Sequence, residues 1–502
     1  MVTKNRSESM IASRPFPLEA TLKEEPMEPF PPQVLSQEEI AALLSEASEE
    51  EVQQARSRSL TQLKRQVLYQ GLPGSALVRD TTGKTYIDCT SQAWSLNVGY
   101  CHPDVLAAAA EQMRRLTHVR YGYATIPRIK LINRLPALFP GNLTRVVLTN
   151  QGGGTTVEAA MKLAMINKPG ATTFMVPYRG YHGSTLATFP AGHYMPLLTR
   201  FPGFGMGHFV KFPYPHCYRC PIEQDPQRCS LACLELVEEA IRYGANAAIA
   251  GLVIEPMQGA GGQVPTPHGY LAGLKRICQE HGILLIFDEC QTAFGRVGAM
   301  SAAEYYGVAP DLLVLSKALG GGFPIGALLA REDLKGFTAV EEHSTFGSNP
   351  VAFAAALANI EVMLRLDLPG RSRRLGEAAS ARLRHMQEEQ ALIGDVRGPG
   401  LFIGVELVED RETKVPATER ATALVELATE HGVIFDLDLP DIVDNQVSRR
   451  NVVKIKPPLT ITEEQLNKAL DVFEAVLAGV SQLPAAKLAE IRQQMMAQAI
   501  PR

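Results

Sequence analysis

The 502-residue chain lacks an excess of charge of either sign, an apolar run of membrane length and, but for one residue, tryptophan. The first two absences exclude something. Forty-nine Lys and Arg against 53 Asp and Glu leave a net charge of −4, which supplies no basic field for nucleic acid or an acidic membrane surface. No apolar stretch reaches the roughly 20 residues a spanning helix needs, so neither nucleic acid nor membrane is an expected partner. The opening Met1-Val2-Thr3-Lys4-Asn5-Arg6 carries no apolar core of a secretory signal, and the expected location is cytoplasmic. Eight cysteines fit a reducing compartment. Hydrophobic residues at 46% and charged residues at 20% are ordinary for a globular protein, and the length predicts two domains or one large α/β subunit.

Residues 1–34 are proline-rich without apolar periodicity and read as a flexible arm. Segment 35–105 should hold N-terminal helices and part of a smaller domain. Ser36 with Glu39 makes a capping box ahead of Ile40, Leu43 and Leu44. The acidic run 45–51 starts a second helix, whose solvated face would pack a partner subunit. Segment 106–365 alternates amphipathic stretches with short apolar runs at 145–149, 173–176, 250–254, 283–287, 312–315 and 325–329. Continuous rather than alternating apolarity marks strands buried on both faces of a mainly parallel sheet. Segment 366–480 reads as a smaller α+β domain with strands at 402–406, 432–435 and 451–455, joined by 86–89, and 481–502 as a C-terminal helix. No internal repeat is present.

Chemistry in parallel sheets gathers at the carboxyl ends of strands, where this chain places Asn150, Tyr178, Glu255, Asp288 and Lys317. Lys317 closes an apolar run and precedes Gly320-Gly321-Gly322. It is badly placed for solvent and well placed to form a covalent imine; the alternative is a lysine snorkelling from a strand end. Thr149-Asn150-Gln151-Gly152-Gly153-Gly154-Thr155-Thr156 lies between a strand and a predicted helix over 157–166. Backbone N–H groups there suit a phosphate, unless the segment is a plain turn. Tyr178-Arg179-Gly180-Tyr181-His182-Gly183 brings aromatic rings to the same edge, for stacking on a heteroaromatic ring or merely for packing. A carboxylate on a buried strand, as at Asp288, needs a cationic partner. A protonated pyridine nitrogen is one and a structural salt bridge is the other. Gln291 is placed to donate to a phenolic oxygen on the same ring. Four such features in this order point to pyridoxal 5'-phosphate.

The run Asp288-Glu289-Cys290-Gln291-Thr292-Ala293-Phe294-Gly295-Arg296-Val297-Gly298 resembles the signature of class III pyridoxal-phosphate aminotransferases, particularly ω-amino acid and 4-aminobutyrate types. The resemblance continues through Ser316-Lys317-Ala318-Leu319-Gly320-Gly321-Gly322, Ser344-Thr345-Phe346-Gly347-Ser348-Asn349-Pro350, Glu255-Pro256-Met257-Gln258-Gly259 and Pro457-Pro458-Leu459. It implies a fold type I subunit, working as a homodimer or higher homo-oligomer with active sites at the interface. By resemblance Lys317 is the Schiff-base lysine and Asp288 the partner of the pyridine nitrogen. Gln291 contacts the ring hydroxyl, Tyr181 stacks, and His182 and Glu255 fall among the cofactor contacts. Gly153 and Gly154 hold the phosphate, while Ser344 and Thr345 reach it from the neighbouring subunit. Trp94 lines the substrate pocket.

Three departures bear on substrate. Thr155 stands where the family's phosphate turn usually has Glu. Ala260 stands where many members carry a gating Glu. Lys454 stands where several carry an arginine for an α-carboxylate, and lysine lacks the bidentate fork. Arg449 and Arg450 lie close in sequence and are candidates to replace it. Ala260 and Lys454 favour a donor with a distal amine or no α-carboxylate, and a 2-oxo acid such as pyruvate or 2-oxoglutarate as acceptor. Racemases, epimerases, decarboxylases and phospholyases share the same motifs and remain the alternative. Finally, Cys217, Cys220, Cys229 and Cys233 form C-x2-C-x8-C-x3-C within 214–233, which the resemblance makes a cysteine-rich insertion that many members lack. Four thiolates at short spacing suit zinc or an iron–sulfur cluster acting as a structural clasp; the other reading is an inert or redox-labile loop.

Overall fold

The computed structural model describes residues 35–499 apart from 46, 62, 64, 150–151, 194–197, 199, 339 and 444–445. The expected arm, Asn150 and Gln151 of the glycine turn, and residues 500–502 of the C-terminal helix therefore lie outside the described residues. The chain divides into two compact units, Met1–Arg65 and Gln66–Arg502.

The first unit holds helices α1 (Gln37–Ser45) and α2 (Glu49–Arg58). Ser36 N–H donates to Glu39 Oε2 at 2.7 Å and Glu39 N–H to Ser36 Oγ at 3.1 Å, the expected capping box. Ser48 and Glu51 repeat it ahead of α2.

The second unit opens with three antiparallel strands, β1 (Leu68–Gly71), β2 (Leu77–Asp80) and β3 (Thr85–Asp88). The distant strand Val433–Ile434 pairs with β3 in parallel. Next come β4 (Arg145–Thr149), β5 (Thr173–Pro177), β6 (Phe209–Phe212), β7 (Ile249–Ile254), a short hairpin β8 (Met257–Gln258) and β9 (Val264–Pro265), then β10 (Leu284–Asp288), β11 (Leu312–Leu315) and β12 (Gly326–Ala330). The large sheet has the order β4-β12-β11-β10-β7-β5-β6. Strand β12 is antiparallel to both its neighbours and every other pairing is parallel.

Burial on both faces explains the unbroken apolar runs. Leu285, Phe287, Leu313 and Leu315 enter one hydrophobic core, and Leu284, Ile286, Leu312 and Val314 enter the other. Neighbours on a strand point to opposite faces, so no position tolerates a polar side chain until the strand ends. The structure thus has the expected α/β class with a mainly parallel sheet. Two features were not anticipated. Strand β6 escapes a search for apolar runs because Lys211 interrupts it, its Nζ donating to the carbonyls of Ala191 and Gly192. The reversed direction of β12 follows from the short link after Lys317, too short for the crossover a parallel strand requires.

A second sheet joins Ile393–Arg397, Ile403–Leu407, Val452–Ile455 and Asp436–Leu437, all antiparallel. Its centre is ionic. Arg397 Nη1 donates to Glu406 Oε2 at 2.6 Å and Arg219 Nε to Glu406 Oε1 at 2.5 Å. Burial pushes the Glu406 carboxyl up, but Arg397, Arg219 and His216 outweigh it and bring the group to about 2. Among the described residues no single helix is long and apolar enough to cross a membrane.

Two measurements test this centre. The stability Glu406 contributes is fully present above its ordinary value of 4.5 and is lost as pH falls through that value toward 2. Glu406→Gln leaves two arginines short of a charge and should destabilise by about 3 kcal/mol in urea unfolding at pH 7. The difference from wild type should shrink steadily below pH 4.5.

Candidate active site

Lys317 follows β11 after one residue, Ser316, and adopts a left-handed φ of +42°. A non-glycine residue there costs on the order of 1–2 kcal/mol, so its surroundings must impose it. Asn359 Nδ2, from the helix Pro350–Arg365, donates to the carbonyls of Ala318 at 2.7 Å and Leu319 at 3.0 Å. Ser316 Oγ donates to the Ile325 carbonyl at 2.8 Å. The turn is thereby fastened on both sides, and the lysine faces a cavity of about 380 Å³ at the carboxyl edge of the sheet, shared with Asp288, Tyr181, His182, Gly153 and Gly154.

Asp288 ends β10 and is buried. One oxygen accepts the Cys290 N–H at 3.1 Å; the other meets His182 Nδ1 at 2.8 Å. Burial pushes the carboxyl up, but the His182 hydrogen bond, the charges of His182 and Lys317, and the Cys290 contact together hold it below its ordinary value. An ionised aspartate fixes the His182 tautomer with its proton on Nδ1. His182 Nε2 is buried without a hydrogen-bond partner. The result is a retained negative charge in an apolar setting, which suits a protonated ring nitrogen.

The opposite end of the cavity is a helix start. Helix α3 runs Gly153–Asn167 and so begins inside the glycine run rather than at 157. Its first N–H groups have no intrahelical acceptor and present an anion site. Gly152, at φ +93°, caps it, and Thr156 Oγ1 pins the turn by donating to the Gly152 carbonyl at 2.9 Å. Gly183 closes against this start: a Cβ on it would lie 2.7 Å from Gly154 Cα and 2.5 Å from Thr188 Oγ1. Only glycine permits that approach. Thr155 Oγ1 also donates to the Gly152 carbonyl, at 3.1 Å, so the hydroxyl in place of the usual acid serves the turn itself. Phosphate, ring-nitrogen and lysine ends thus fit pyridoxal phosphate.

Several expected contacts stand outside the lining of this cavity. Glu255 lies behind Tyr181, accepting the Tyr181 N–H at 2.9 Å and the Gly259 N–H at 3.0 Å. Burial pushes its carboxyl up to about 7, against the opposing pull of His182. Gln291 is packed against Gly259, where a Cβ would come 1.8 Å from its Oε1. Ala260 is buried and its carbonyl accepts the Leu439 N–H at 2.8 Å. Trp94 is also buried, with Lys456 Nζ 3.8 Å and Lys454 Nζ 4.9 Å from the ring centroid. Both lysines lie 3.3 Å from Asp436 Oδ2, so Lys454 already has a carboxylate. Arg449 is likewise engaged, with Asp441 at 2.8 Å, and Arg450 Nε donates to the Asp438 carbonyl at 3.3 Å. Ser344 and Thr345 also lie outside the lining, and Thr345 is exposed. Conversely, Ser95, Cys290, Thr185 and Phe323 line the cavity. Adjacency to Trp94, Asp288, His182 and the triple glycine was the only sign of them in the sequence.

The metal expectation finds no support in the geometry. Among the described residues no group of three or more His, Cys, Asp or Glu is arranged to hold a metal ion. Cys217, Cys220, Cys229 and Cys233 are free thiols. Burial pushes Cys217 up and Cys233 to about 11.

Residues 63–477 match the model of the family described as aminotransferase class-III. The chain is 37% identical over 412 residues to a leucine/methionine racemase of Thermococcus litoralis, covering 81% of this chain and 90% of that protein. It is 35% identical over 400 residues to an acetylornithine aminotransferase of Methanosarcina mazei, covering 80% and 89% respectively. Among solved structures, a PLP-bound amine transaminase from an uncultivated Pseudomonas species matches with a TM-score of 0.75 at 31% identity, covering 83% of this chain and 95% of that one. The chain belongs to the class III aminotransferases, and is a pyridoxal-phosphate-dependent transaminase of fold type I.

Proposed function

We propose that this enzyme moves an amino group from an amine or ω-amino acid donor to a 2-oxo acid such as pyruvate or 2-oxoglutarate. The observation that carries the reading is the sharing of one cavity by Lys317, the Asp288–His182 pair and the start of α3. Bound there, pyridoxal phosphate supplies an electron sink that acidifies the proton on the amine-bearing carbon of the donor. Lys317 Nζ would anchor the cofactor and, once released, would carry that proton between the substrate carbon and the cofactor's carbonyl carbon. Asp288, kept ionised, holds the ring nitrogen in its protonated form, and His182 orients Asp288. The N–H groups of Gly153 and Gly154 bind the phosphate, and Tyr181 covers the ring. Glu255 positions Tyr181 through its backbone, and Gln291 belongs to the same supporting layer. Ser344 and Thr345 close the phosphate end from a second copy of the chain, which accords with the exposure of Thr345 in one subunit.

Donor class rests on the neighbourhood of Trp94. Ala260 offers no gate, and Lys454 is occupied by Asp436 beneath the indole ring. An α-carboxylate would have to displace that pairing, so amines without one are the favoured donors. The alternative, racemisation or epimerisation of an amino acid, draws support from the 37% identical racemase. Decarboxylase and phospholyase chemistry has no comparable observation in its favour.

Three outcomes are expected. Lys317→Ala should lose the visible cofactor absorbance and at least about 10³-fold in turnover; retention of both would refute the assignment. Holoenzyme given an amine donor and no oxo acid should accumulate the aminated cofactor stoichiometrically by absorbance, whereas inversion of an amino acid without that accumulation would favour the racemase reading. Gly183→Ala should raise the Kd for pyridoxal phosphate about tenfold, since its Cβ overlaps Gly154 and Thr188; titration of apoenzyme would measure it.

A further inference from the structure

Half of the eight cysteines fall within residues 217–233, and the reaction above uses none of them. Cys217, Cys220, Cys229 and Cys233 all line one small cavity of about 50 Å³, distinct from the cavity at Lys317. Residues Cys217–Arg219 form a single turn of 3₁₀ helix with Cys220 as its C-cap. Side chains three apart eclipse one another in that geometry, so the Cys217 and Cys220 thiols share one edge of the turn. Cys217 is exposed and Cys220 half-buried, both as free thiols, so solvent reaches the pair. Cys233 is buried, and the left-handed Leu231 turns the chain between it and Cys229.

The residues between the two thiols have a separate task. Arg219 donates to Glu406 at 2.5 Å and to the Lys414 carbonyl at 2.7 Å. Lys414 Nζ donates to the Tyr218 carbonyl at 2.8 Å and lies 4.8 Å from its ring centroid. The turn that carries the dithiol is therefore the turn by which this segment grips the second sheet.

We propose that Cys217 and Cys220 form a site of reversible thiol–disulfide exchange with small disulfides of the glutathione class. One thiolate attacks the disulfide and releases one small thiol, leaving a mixed disulfide. The other thiolate displaces the second small thiol, closing a Cys217–Cys220 bond. The protein dithiol is oxidised by two electrons, the external disulfide is reduced to two thiols, and the two protons leave with them. The bond fixes the Tyr218-Arg219 turn, so oxidation locks the grip on Glu406 and Lys414 that reduction leaves to non-covalent contacts.

The test uses holoenzyme incubated with glutathione disulfide, freed of reagent, denatured and alkylated. Wild type should lose two of its eight alkylatable thiols, with the bond mapping by mass spectrometry to Cys217 and Cys220, and dithiothreitol should restore all eight. Cys217→Ser should form no internal bond and retain a glutathione adduct on Cys220. The proposal is overturned if all eight thiols of wild type still alkylate, if the bond maps to Cys229 or Cys233, or if zinc or iron bound at these cysteines blocks exchange.

Discussion

The contact between Asp288 and His182 is the constraint around which the rest of the site is arranged. A carboxylate at the end of a strand buried on both faces would ordinarily take up a proton. Here the imidazole at 2.8 Å and the Cys290 N–H at 3.1 Å keep the charge. Lys317 adds to the same field from the neighbouring strand end. The sheet makes this possible because β10 and β11 run parallel and in register, with Asp288 opposite Val314. Their carboxyl ends therefore open on the same side.

Around that centre the structure spends local strain and glycine contacts where the cofactor must fit. Lys317 at φ +42° is held by Asn359 and Ser316, and Gly183 lies against the start of α3. The second layer works through backbone rather than through the ligand. Glu255 spans the Tyr181 and Gly259 N–H groups, and Tyr214 Oη reaches the carbonyls of Glu255 and Pro256 at 3.2 Å each. From there the segment that begins near Tyr214 extends to Arg219 and the buried Glu406 of the second sheet.

Legibility in the sequence followed burial. The strands of the large sheet, β6 excepted, could be read because two-sided burial permits only apolar residues until the strand ends, which isolates Asp288 and Lys317 as anomalies. The same logic could not find β6, where one half-buried lysine satisfies itself on two backbone carbonyls. Nor could it show where the glycine turn becomes helix, since Gly153 and Gly154 have low helix propensity yet open α3, where Gly183 and Thr188 pack close to Gly154.

The amino-acid sequence by itself determined the fold class, the family, the cofactor and the order of lysine, aspartate and glycines along the strand ends, because these rest on local apolar runs and on motifs contiguous in the chain. Tertiary structure alone decided that His182 serves Asp288, that Glu255 and Gln291 stand behind the cavity, and that Lys454 and Lys456 share Asp436 beneath Trp94. It also decided that four thiols surround one small cavity without a metal-binding arrangement among the described residues. Such pairings join residues up to hundreds of positions apart, and a buried charge finds its partner by proximity in the folded chain, which spacing along the sequence does not encode.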